Sequence, residues 1–225
     1  MNLDNLLKTL RFYFICDDQA PALTPYEQVR IAIQAGATAI QYRRKRFELQ
    51  FYDEALAIRR LCRANGVPFI VNDHVLLARA LTAEGVHLGQ TDAGPDLARN
   101  ILGPEAIVGI SVSNLQELAR TDLTACDYIG SGPVFPTSTK PDAKQVRRLV
   151  GLQAIVDAAP LPVVAIGGID HTNAADCFKH GAAGIAVIST ISRAANPPQN
   201  ALKLGAVCGC NPRSSLTLPS GAKRG

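Results

Sequence analysis

The sequence contains no uninterrupted apolar run of the roughly 18 residues that a membrane-spanning helix needs. Its first 14 residues, where a targeting segment would lie, are interrupted by Asp4, Lys8 and Arg11. A secretory signal combines a basic start with a continuous apolar stretch, and this segment has neither. The sequence therefore predicts a cytoplasmic protein with no membrane as a partner.

The sequence also lacks a regular cysteine pattern. None of its six cysteines forms a C-x-x-C motif, and the closely spaced Cys208 and Cys210 have no histidine or second cysteine pair nearby. A zinc site or a disulfide framework requires a fuller and more regular set. We expect reduced thiols that are mostly buried, with the pair near the C-terminus exposed.

A strong excess of one charge is missing as well. The formal net charge is +4, and Arg213, Lys223 and Arg224 in the acid-free stretch 205–225 contribute three of those charges. Domains that bind nucleic acids usually carry a basic face or stripe. The sequence therefore predicts no nucleic acid as a partner.

What the sequence does contain is a series of eight short runs rich in valine, isoleucine and aromatic residues, separated by helical patterns. Such alternation favours βαβ units and a parallel sheet. Eight strands with interleaved helices in 225 residues predict an α/β fold, the (β/α)8 TIM barrel, formed as a single domain. An open doubly wound sheet is the alternative, but no G-x-G-x-x-G motif follows the first run. The predicted strands are residues 12–16, 39–42, 69–71, 86–88, 107–111, 128–130, 163–166 and 184–188.

The best-marked helix begins after Thr24. Thr24 and Glu27 have the spacing of a capping box, and Pro25 suits the first helical position. Gly36 is a typical residue to end that helix. Further helices are predicted at residues 48–64, 74–81, 96–102, 115–121, 147–158 and 173–180.

The domain organisation changes near the C-terminus. The pair Pro197 and Pro198 predicts a short last helix, and beyond Leu204 the sequence loses its periodicity and gains glycine, serine and proline. We therefore expect residues 1–204 to form the TIM-barrel catalytic domain and residues 205–225 to form a disordered tail.

Polar residues follow the predicted second strand. In a barrel of this kind the active site lies at the carboxyl ends of the strands. Extended geometry places Gln41, Arg43 and Lys45 on one side, which brings an amide and two cations together. This set favours a phosphate or diphosphate site, and a solvated basic loop is the alternative. The intervening Arg44 and Arg46 are expected to face solvent.

Carboxylates follow the third and fourth strands, at Asp73 and Asp92. Mg²⁺ is usually held by one or two carboxylates together with substrate phosphate oxygens, so the pair is typical of a metal and diphosphate site. Alternatively, Asp73 caps the following helix and Asp92 belongs to a turn. The nearby His74 and His87 are interpreted as structural residues.

A second anion site is predicted from the loops after the sixth, seventh and eighth strands, with an ordinary connecting loop after the sixth as the alternative. The loop after the sixth strand combines three hydroxyls, on residues 137–139, with the ammonium of Lys140. The seventh strand ends in two glycines, at 167 and 168, and the eighth in residues 188–190. Loops at these positions frequently bind phosphate through backbone N–H groups. Two anion sites, one of them with a metal, predict two phosphorylated ligands.

Seven motifs at these positions resemble those of the bacterial thiamine-phosphate synthase family, and the resemblance covers nearly all of residues 11–204. Any one motif is weak, but seven in order at predicted strand ends are specific. The motifs are residues 41–45, 71–73, 87–92, 109–111, 132–140, 166–169 and 187–189.

The resemblance implies an enzyme that joins an aminopyrimidinylmethyl diphosphate to a phosphoethyl thiazole, or to its carboxylated form. It would release diphosphate, together with CO₂ when the thiazole is carboxylated. The two phosphorylated small molecules are thus the expected partners, and Mg²⁺ on Asp73 and Asp92 is the expected cofactor. The resemblance also implies catalytic roles for Arg43, Ser111 and Lys140. The pyrimidine diphosphate would contact Gln41, Arg43, Lys45, Asn72, Ser111 and Lys140. The thiazole phosphate would contact Thr137, Ser138, Thr139, Gly168, Ile188 and Ser189.

Three alternative functions use the same barrel. A thiazole tautomerase has a histidine two residues after the serine of the fifth strand, where this sequence has Ser113, and it lacks a loop like residues 137–140. A ligand-binding protein without catalytic activity is the second alternative, since a barrel fold can be retained after its catalytic activity is lost. An epimerase-like barrel is the third, but it has no use for a metal pair beside a second anion site. The sequence does not determine the oligomeric state, and a homo-oligomer is one of the alternatives.

Overall fold

Eight parallel strands form a closed barrel at the centre of the molecule, which confirms the predicted TIM-barrel fold. The structure is a computed structural model and describes residues 2–44, 46–137, 146 and 148–219. The strands are β1 (Phe12–Ile15), β2 (Ala39–Tyr42), β3 (Phe69–Asn72), β4 (Gly85–Leu88), β5 (Ile107–Ser111), β6 (Tyr128–Ser131), β7 (Val163–Ile166) and β8 (Gly184–Val187). Each strand pairs with the next in sequence, and β8 closes the barrel by pairing with β1.

Helices follow the strands around the outside of the barrel, and all seven predicted helices are present. A short 3₁₀ turn, Leu49–Phe51, precedes the helix that was predicted to begin at residue 48. The helices are α1 (Leu3–Leu10), α2 (Pro25–Gln34), α3 (Tyr52–Ala64), α4 (Val75–Ala80), α5 (Pro95–Leu102), α6 (Leu115–Arg120), α7 (Arg148–Ala158), α8 (Ala174–Lys179), α9 (Ser189–Ser192) and α10 (Pro197–Val207).

The strands are buried on both faces. Alternate residues of each strand point into the barrel, and the others pack against the helices. Tyr13, Ile70, Tyr128 and Val164 belong to the interior cluster, which is separate from the larger cluster outside the strands. Parallel strands buried in this way are typically continuous apolar runs, and this is why the sequence pattern located them.

Helix α1 was not predicted, and it closes the amino-terminal end of the barrel. The Asn2 side chain accepts a hydrogen bond from the Asn5 N–H and caps the helix. Leu6 and Leu10 are buried in the interior cluster. Gly184 permits this closure, because a Cβ atom there would lie 1.8 Å from the Leu10 carbonyl oxygen. Leucines at helical spacing after an asparagine carry the sequence signal for this helix.

The chain beyond Leu204 differs from the expected disordered tail. Helix α10 extends to Val207, and its N-cap residue Asn196 accepts from the Gln199 N–H, so the two prolines that follow Asn196 begin the helix instead of shortening it. Residues 208–219, which we name the C-terminal segment, pack across the ends of α2 and α3. Cys208, expected to be exposed, is buried.

Hydrogen bonds hold the C-terminal segment at three places. The Arg11 Nε donates to the Cys208 carbonyl oxygen at 3.0 Å, and the Arg213 N–H donates to the Gln34 carbonyl oxygen at 2.8 Å. The Asn65 amide donates to the Thr217 carbonyl oxygen and accepts from the Thr217 N–H. Hydrogen bonds to residues distant in sequence, and not a periodic apolar face, therefore hold this segment in place.

Asn65→Ala is expected to release the end of the C-terminal segment. Its amide makes three hydrogen bonds, two with Thr217 and one with the Leu61 carbonyl oxygen. At about 1 kcal/mol for each bond, the loss lowers the melting temperature by roughly 6–12 °C. Trypsin should also cleave faster after Arg213. Asn100→Ala removes an exposed amide from α5 and is the matched control; equal melting temperatures and cleavage rates for the two variants would contradict the proposed anchoring.

Every helix in the described part of the chain is too short or too polar to cross a bilayer. All six cysteines are free thiols, and five of them are buried, as the absence of a pairing pattern predicted.

Candidate active site

The carboxyl ends of the strands surround a cavity of about 340 Å³. It is bounded by the loops after β4 to β8, so its walls come from five neighbouring strands. The predicted site residues that line it are Ser111, Thr137, Gly168, Ile188 and Ser189. A smaller cavity of about 30 Å³ lies within the barrel, and Gln41 and Ser111 both line it. Ser111 therefore lies where the two cavities meet.

Two glycines shape the wall that follows β7. Gly167 and Gly168 have φ angles of +99° and +64°, which other residues adopt at a cost. A Cβ atom on Gly168 would lie 2.4 Å from the Pro136 carbonyl oxygen, so the two loops can approach each other only without a side chain there. The Asn173 amide donates to the Gly168 carbonyl oxygen at 3.0 Å and fixes the turn. Both glycines line the cavity, so the backbone borders it there without an intervening side chain.

The end of β2 presents an amide and a buried cation. Gln41 and Arg43 are both buried, and Arg43 is only 6% exposed. The Gln41 amide donates to the Tyr13 hydroxyl at 3.0 Å. Among the described residues, no carboxylate forms an ion pair with Arg43. A guanidinium in this position is suited to an anionic ligand.

The expectation that Arg44 faces solvent is wrong. Its side chain is mostly buried and forms ion pairs with Asp18 at 3.7 Å and Glu54 at 3.1 Å. Its guanidinium also lies 3.6 Å from the centre of the Phe51 ring. Arg44 therefore ties the loops after β1 and β2 to helix α3, while Arg43 stays available to the site.

The two aspartates occupy the ends of adjacent strands. Asp73 follows β3 with a φ angle of +64°, and its N–H donates to the His87 carbonyl oxygen at 2.8 Å. His74 is the N-cap residue of α4, so the alternative that Asp73 caps this helix is wrong. The Asp92 carboxylate accepts from the Gly89 N–H at 2.7 Å, in agreement with the turn alternative.

The turn bond does not exclude a metal at this position. It uses only Oδ2 of Asp92, and a carboxylate has further lone pairs on both oxygens. Within the described residues, no group of three or more histidines, cysteines and carboxylates could enclose a metal ion. Mg²⁺ usually takes one or two carboxylates and leaves its other positions to water and phosphate oxygens. The donor set at Asp73 and Asp92 fits that ion.

Two tyrosines inside the barrel, which the sequence did not single out, connect the predicted site residues Gln41 and Ser111 through hydrogen bonds. The Tyr13 hydroxyl lies 3.0 Å from the Tyr128 hydroxyl, which lies 2.9 Å from Nδ1 of His87. The other ring nitrogen of His87, Nε2, lies 2.9 Å from the Ser111 hydroxyl. His87 therefore contacts the site directly, beyond the structural role expected of it. Alternation along β1 and β6 could have placed both tyrosines in the interior.

The remaining predicted residues are placed as follows. Asn72 is buried at the end of β3. Ser113, at the position that distinguishes the tautomerase, lines the cavity, and its N–H donates to the Glu117 carboxylate at 2.8 Å. Four predicted site residues lie outside the described part of the chain, namely Lys45, Ser138, Thr139 and Lys140.

Known proteins similar to this chain share its whole barrel. The sequence model of the thiamine monophosphate synthase family matches residues 12–191. The thiamine-phosphate synthase of Vibrio parahaemolyticus is 38% identical over 196 residues, which cover 87% of this chain and 96% of that protein. The enzyme of the same name from Chloroflexus aurantiacus is 43% identical over 189 residues, with coverages of 84% and 87%. The solved structure of a thiamine phosphate pyrophosphorylase from Pyrococcus furiosus has a TM-score of 0.81 and 38% identity, covering 91% of this chain and 98% of that one. Because the family model spans most of the barrel and both relatives align along nearly their full length, the chain belongs to the thiamine monophosphate synthase family.

Proposed function

We propose that this chain is a transferase that forms thiamine phosphate from an aminopyrimidinylmethyl diphosphate and a thiazole phosphate, and releases diphosphate. The observation that carries the proposal is the position of Ser111, which lines both the large cavity and the interior cavity beside Gln41. A ligand in the large cavity can thus reach a hydroxyl that also faces the centre of the barrel. Family membership supports the same reaction.

The pyrimidine diphosphate is assigned to the side of β2 and β3. Gln41 and Asn72 provide buried amides, and Arg43 provides a buried cation for the diphosphate. The sequence resemblance adds Lys45 and Lys140 as further cations. Cations placed where negative charge develops stabilise the transition state.

We assign the thiazole phosphate to the opposite wall. Gly168, Ile188 and Ser189 line the cavity there, together with Thr137. Backbone N–H groups next to glycine and hydroxyl groups are suitable donors to phosphate oxygens. The resemblance adds Ser138 and Thr139.

Mg²⁺ is the proposed cofactor, held by Asp73 and Asp92. When bound, it neutralises charge on the leaving diphosphate. Asp73 and Asp92 would hold this ion beside the diphosphate end of the substrate, and Arg43 binds the same end directly.

The proposed reaction needs little acid or base catalysis. The bond between the pyrimidine methylene carbon and the diphosphate oxygen breaks, and the aminopyrimidine ring spreads the positive charge left on that carbon. The thiazole nitrogen then forms the new carbon–nitrogen bond. The residues of the chain therefore act mainly by positioning both ligands and stabilising the leaving group.

The proposed function is tested by incubating the purified protein with both phosphorylated substrates and Mg²⁺. We expect diphosphate and thiamine phosphate in equal amounts, and a loss of at least about 100-fold on chelation, because the metal compensates the developing charge. Lys140→Ala should also lower the rate strongly, since it removes a cation from the proposed leaving-group site.

A tautomerase assay tests the alternative function of the same barrel. Isomerisation of a thiazole carboxylate needs a base at the reacting carbon, and Ser113 is a hydroxyl where the tautomerase has a histidine. We expect negligible isomerisation by this protein. Isomerisation without the pyrimidine substrate, unaffected by chelator, would overturn the proposed reaction.

A further inference from the structure

Five side chains form a continuous hydrogen-bonded path across the barrel, which we name the interior network: Gln41, Tyr13, Tyr128, His87 and Ser111. Successive donor and acceptor atoms lie 2.9 to 3.0 Å apart. The residues come from five different strands, β1, β2, β4, β5 and β6. Only the Ser111 end of the network opens on the large cavity.

Counting hydrogen atoms gives the network a direction. Burial raises the pKa of the Tyr13 and Tyr128 hydroxyls, so each keeps its single hydrogen. The Gln41 amide donates to Tyr13. If Tyr128 also donated to Tyr13, the buried Tyr13 hydrogen would lack an acceptor within the network, at a cost of about 1–3 kcal/mol. Tyr13 therefore donates to Tyr128.

The same count of hydrogen atoms determines which ring nitrogen of His87 carries a hydrogen. Because Tyr128 accepts from Tyr13, its own hydrogen goes to Nδ1 of His87. The histidine then carries its hydrogen on Nε2 and donates it to the Ser111 oxygen. The Ser111 hydroxyl hydrogen is left to point into the cavity.

We propose that Tyr13, Tyr128 and His87 are positioning residues that hold His87 in its Nε2–H form and thereby make the Ser111 hydroxyl a hydrogen-bond donor to the anionic ligand in the cavity. The role assigned to the ligand rests on the proposed function. The order of the hydrogen atoms in the free protein does not.

Two glycines make room for the rings of the interior network. A Cβ atom on Gly109 would lie 2.2 Å from Cζ of Tyr128, and one on Gly130 would lie 2.9 Å from Cε1 of His87. The His87 and Tyr128 ring centres are 5.5 Å apart, and those of Tyr13 and Tyr128 are 6.0 Å apart. The backbone of β5 and β6 is thus shaped to accept these rings at hydrogen-bonding distance.

Nitrogen-15 NMR of the histidine side chains tests the proposed order in the free protein. Nitrogens with and without hydrogen give separate resonances, and His87→Gln identifies the signals of His87 among the four histidines. We expect the neutral Nε2–H form, retained in Ser111→Ala because Tyr128 still donates to Nδ1. In Tyr128→Phe the Nδ1 resonance of His87 should move to the value of a ring nitrogen that accepts no hydrogen bond. An Nδ1–H form or an imidazolium in the unmodified protein would overturn the proposal.

A double-mutant cycle tests the effect on Ser111. Tyr128→Phe should lower kcat/KM by roughly three- to tenfold, the contribution of one hydrogen bond. Because this loss acts through Ser111, it should vanish in the Ser111→Ala background. Tyr42→Phe is the matched control, since its hydroxyl donates to Glu54 outside the interior network. We expect the effect of Tyr42→Phe to be the same in both backgrounds.

The two measurements separate the possible failures. Equal losses from Tyr128→Phe with and without Ser111 would overturn the positioning role. Absence of synthase activity together with the Nε2–H form of His87 would instead refute the proposed function and leave the hydrogen order supported. If Tyr128→Phe fails to fold, the histidine spectrum of the unmodified protein still decides whether the proposed order is correct.

Discussion

Asp92→Asn is expected to slow diphosphate release by about two to three orders of magnitude, the usual effect of removing a group that stabilises transition-state charge. The amide oxygen can still accept from the Gly89 N–H, so the turn at the end of β4 is retained. Only the negative charge proposed to bind Mg²⁺ is lost. The rate should be measured over a range of Mg²⁺ concentrations, and the melting temperature should stay near that of the unmodified protein.

Asp96→Asn is the matched control for this variant. Asp96 is an exposed carboxylate in the first turn of α5, four residues further along the same loop and helix. The same chemical change there should leave the rate nearly unaltered. A near-normal rate for Asp92→Asn at ordinary Mg²⁺ concentration would mean that Asp92 serves the turn and not a metal.

The second large effect is expected for Gly168→Ala. The new Cβ atom would collide with the Pro136 carbonyl oxygen, and the φ angle of +64° would add about 1–2 kcal/mol of backbone strain. The loop after β7 must then move away from the loop after β6. We expect the KM for the thiazole phosphate to rise at least about tenfold, since the loss of one or two hydrogen bonds to a charged phosphate corresponds to such a change.

Gly66→Ala separates backbone strain from the effect on the site. Gly66 has a φ angle of +62°, almost that of Gly168, but no atom lies within 4 Å of the position its Cβ would take. The Gly66→Ala variant should lose only the stability that the backbone strain costs and should keep its KM. Equal KM changes in the two variants would show that general destabilisation, and not the wall of the cavity, controls thiazole binding.

The strands were predictable because their signal is local. The bounds of β2, β5 and β7 agree with the sequence pattern, and the other strands differ by one residue at one end. Each strand is buried on both faces, so its sequence is a continuous apolar run. Helix α1 also has a local signal, of a different kind, since Leu6 and Leu10 are spaced for one helical face.

The candidate site was predictable only in outline. Strand ends identify residues that face the same opening, and this placed Gly168 and Ser189 at one cavity. Ser111, which lines the same cavity, was implied only by the family resemblance. The sequence could not show that Arg44 turns away to bind Asp18 and Glu54, because those partners come from other loops. The bond between Tyr13 and Tyr128 joins residues 115 positions apart and has no local signature.

Closure of the barrel between β1 and β8 has a consequence for how the protein is synthesised. β1 is made first, but the strand that covers its free edge begins only at Gly184. The segment that donates and accepts bonds at Gln34 and Asn65 follows later still. In a nascent chain β1 thus keeps one open edge until β8 has been translated, and open strand edges promote association with other chains. A molecule released early by a stop codon before β8 would therefore aggregate instead of forming a smaller barrel.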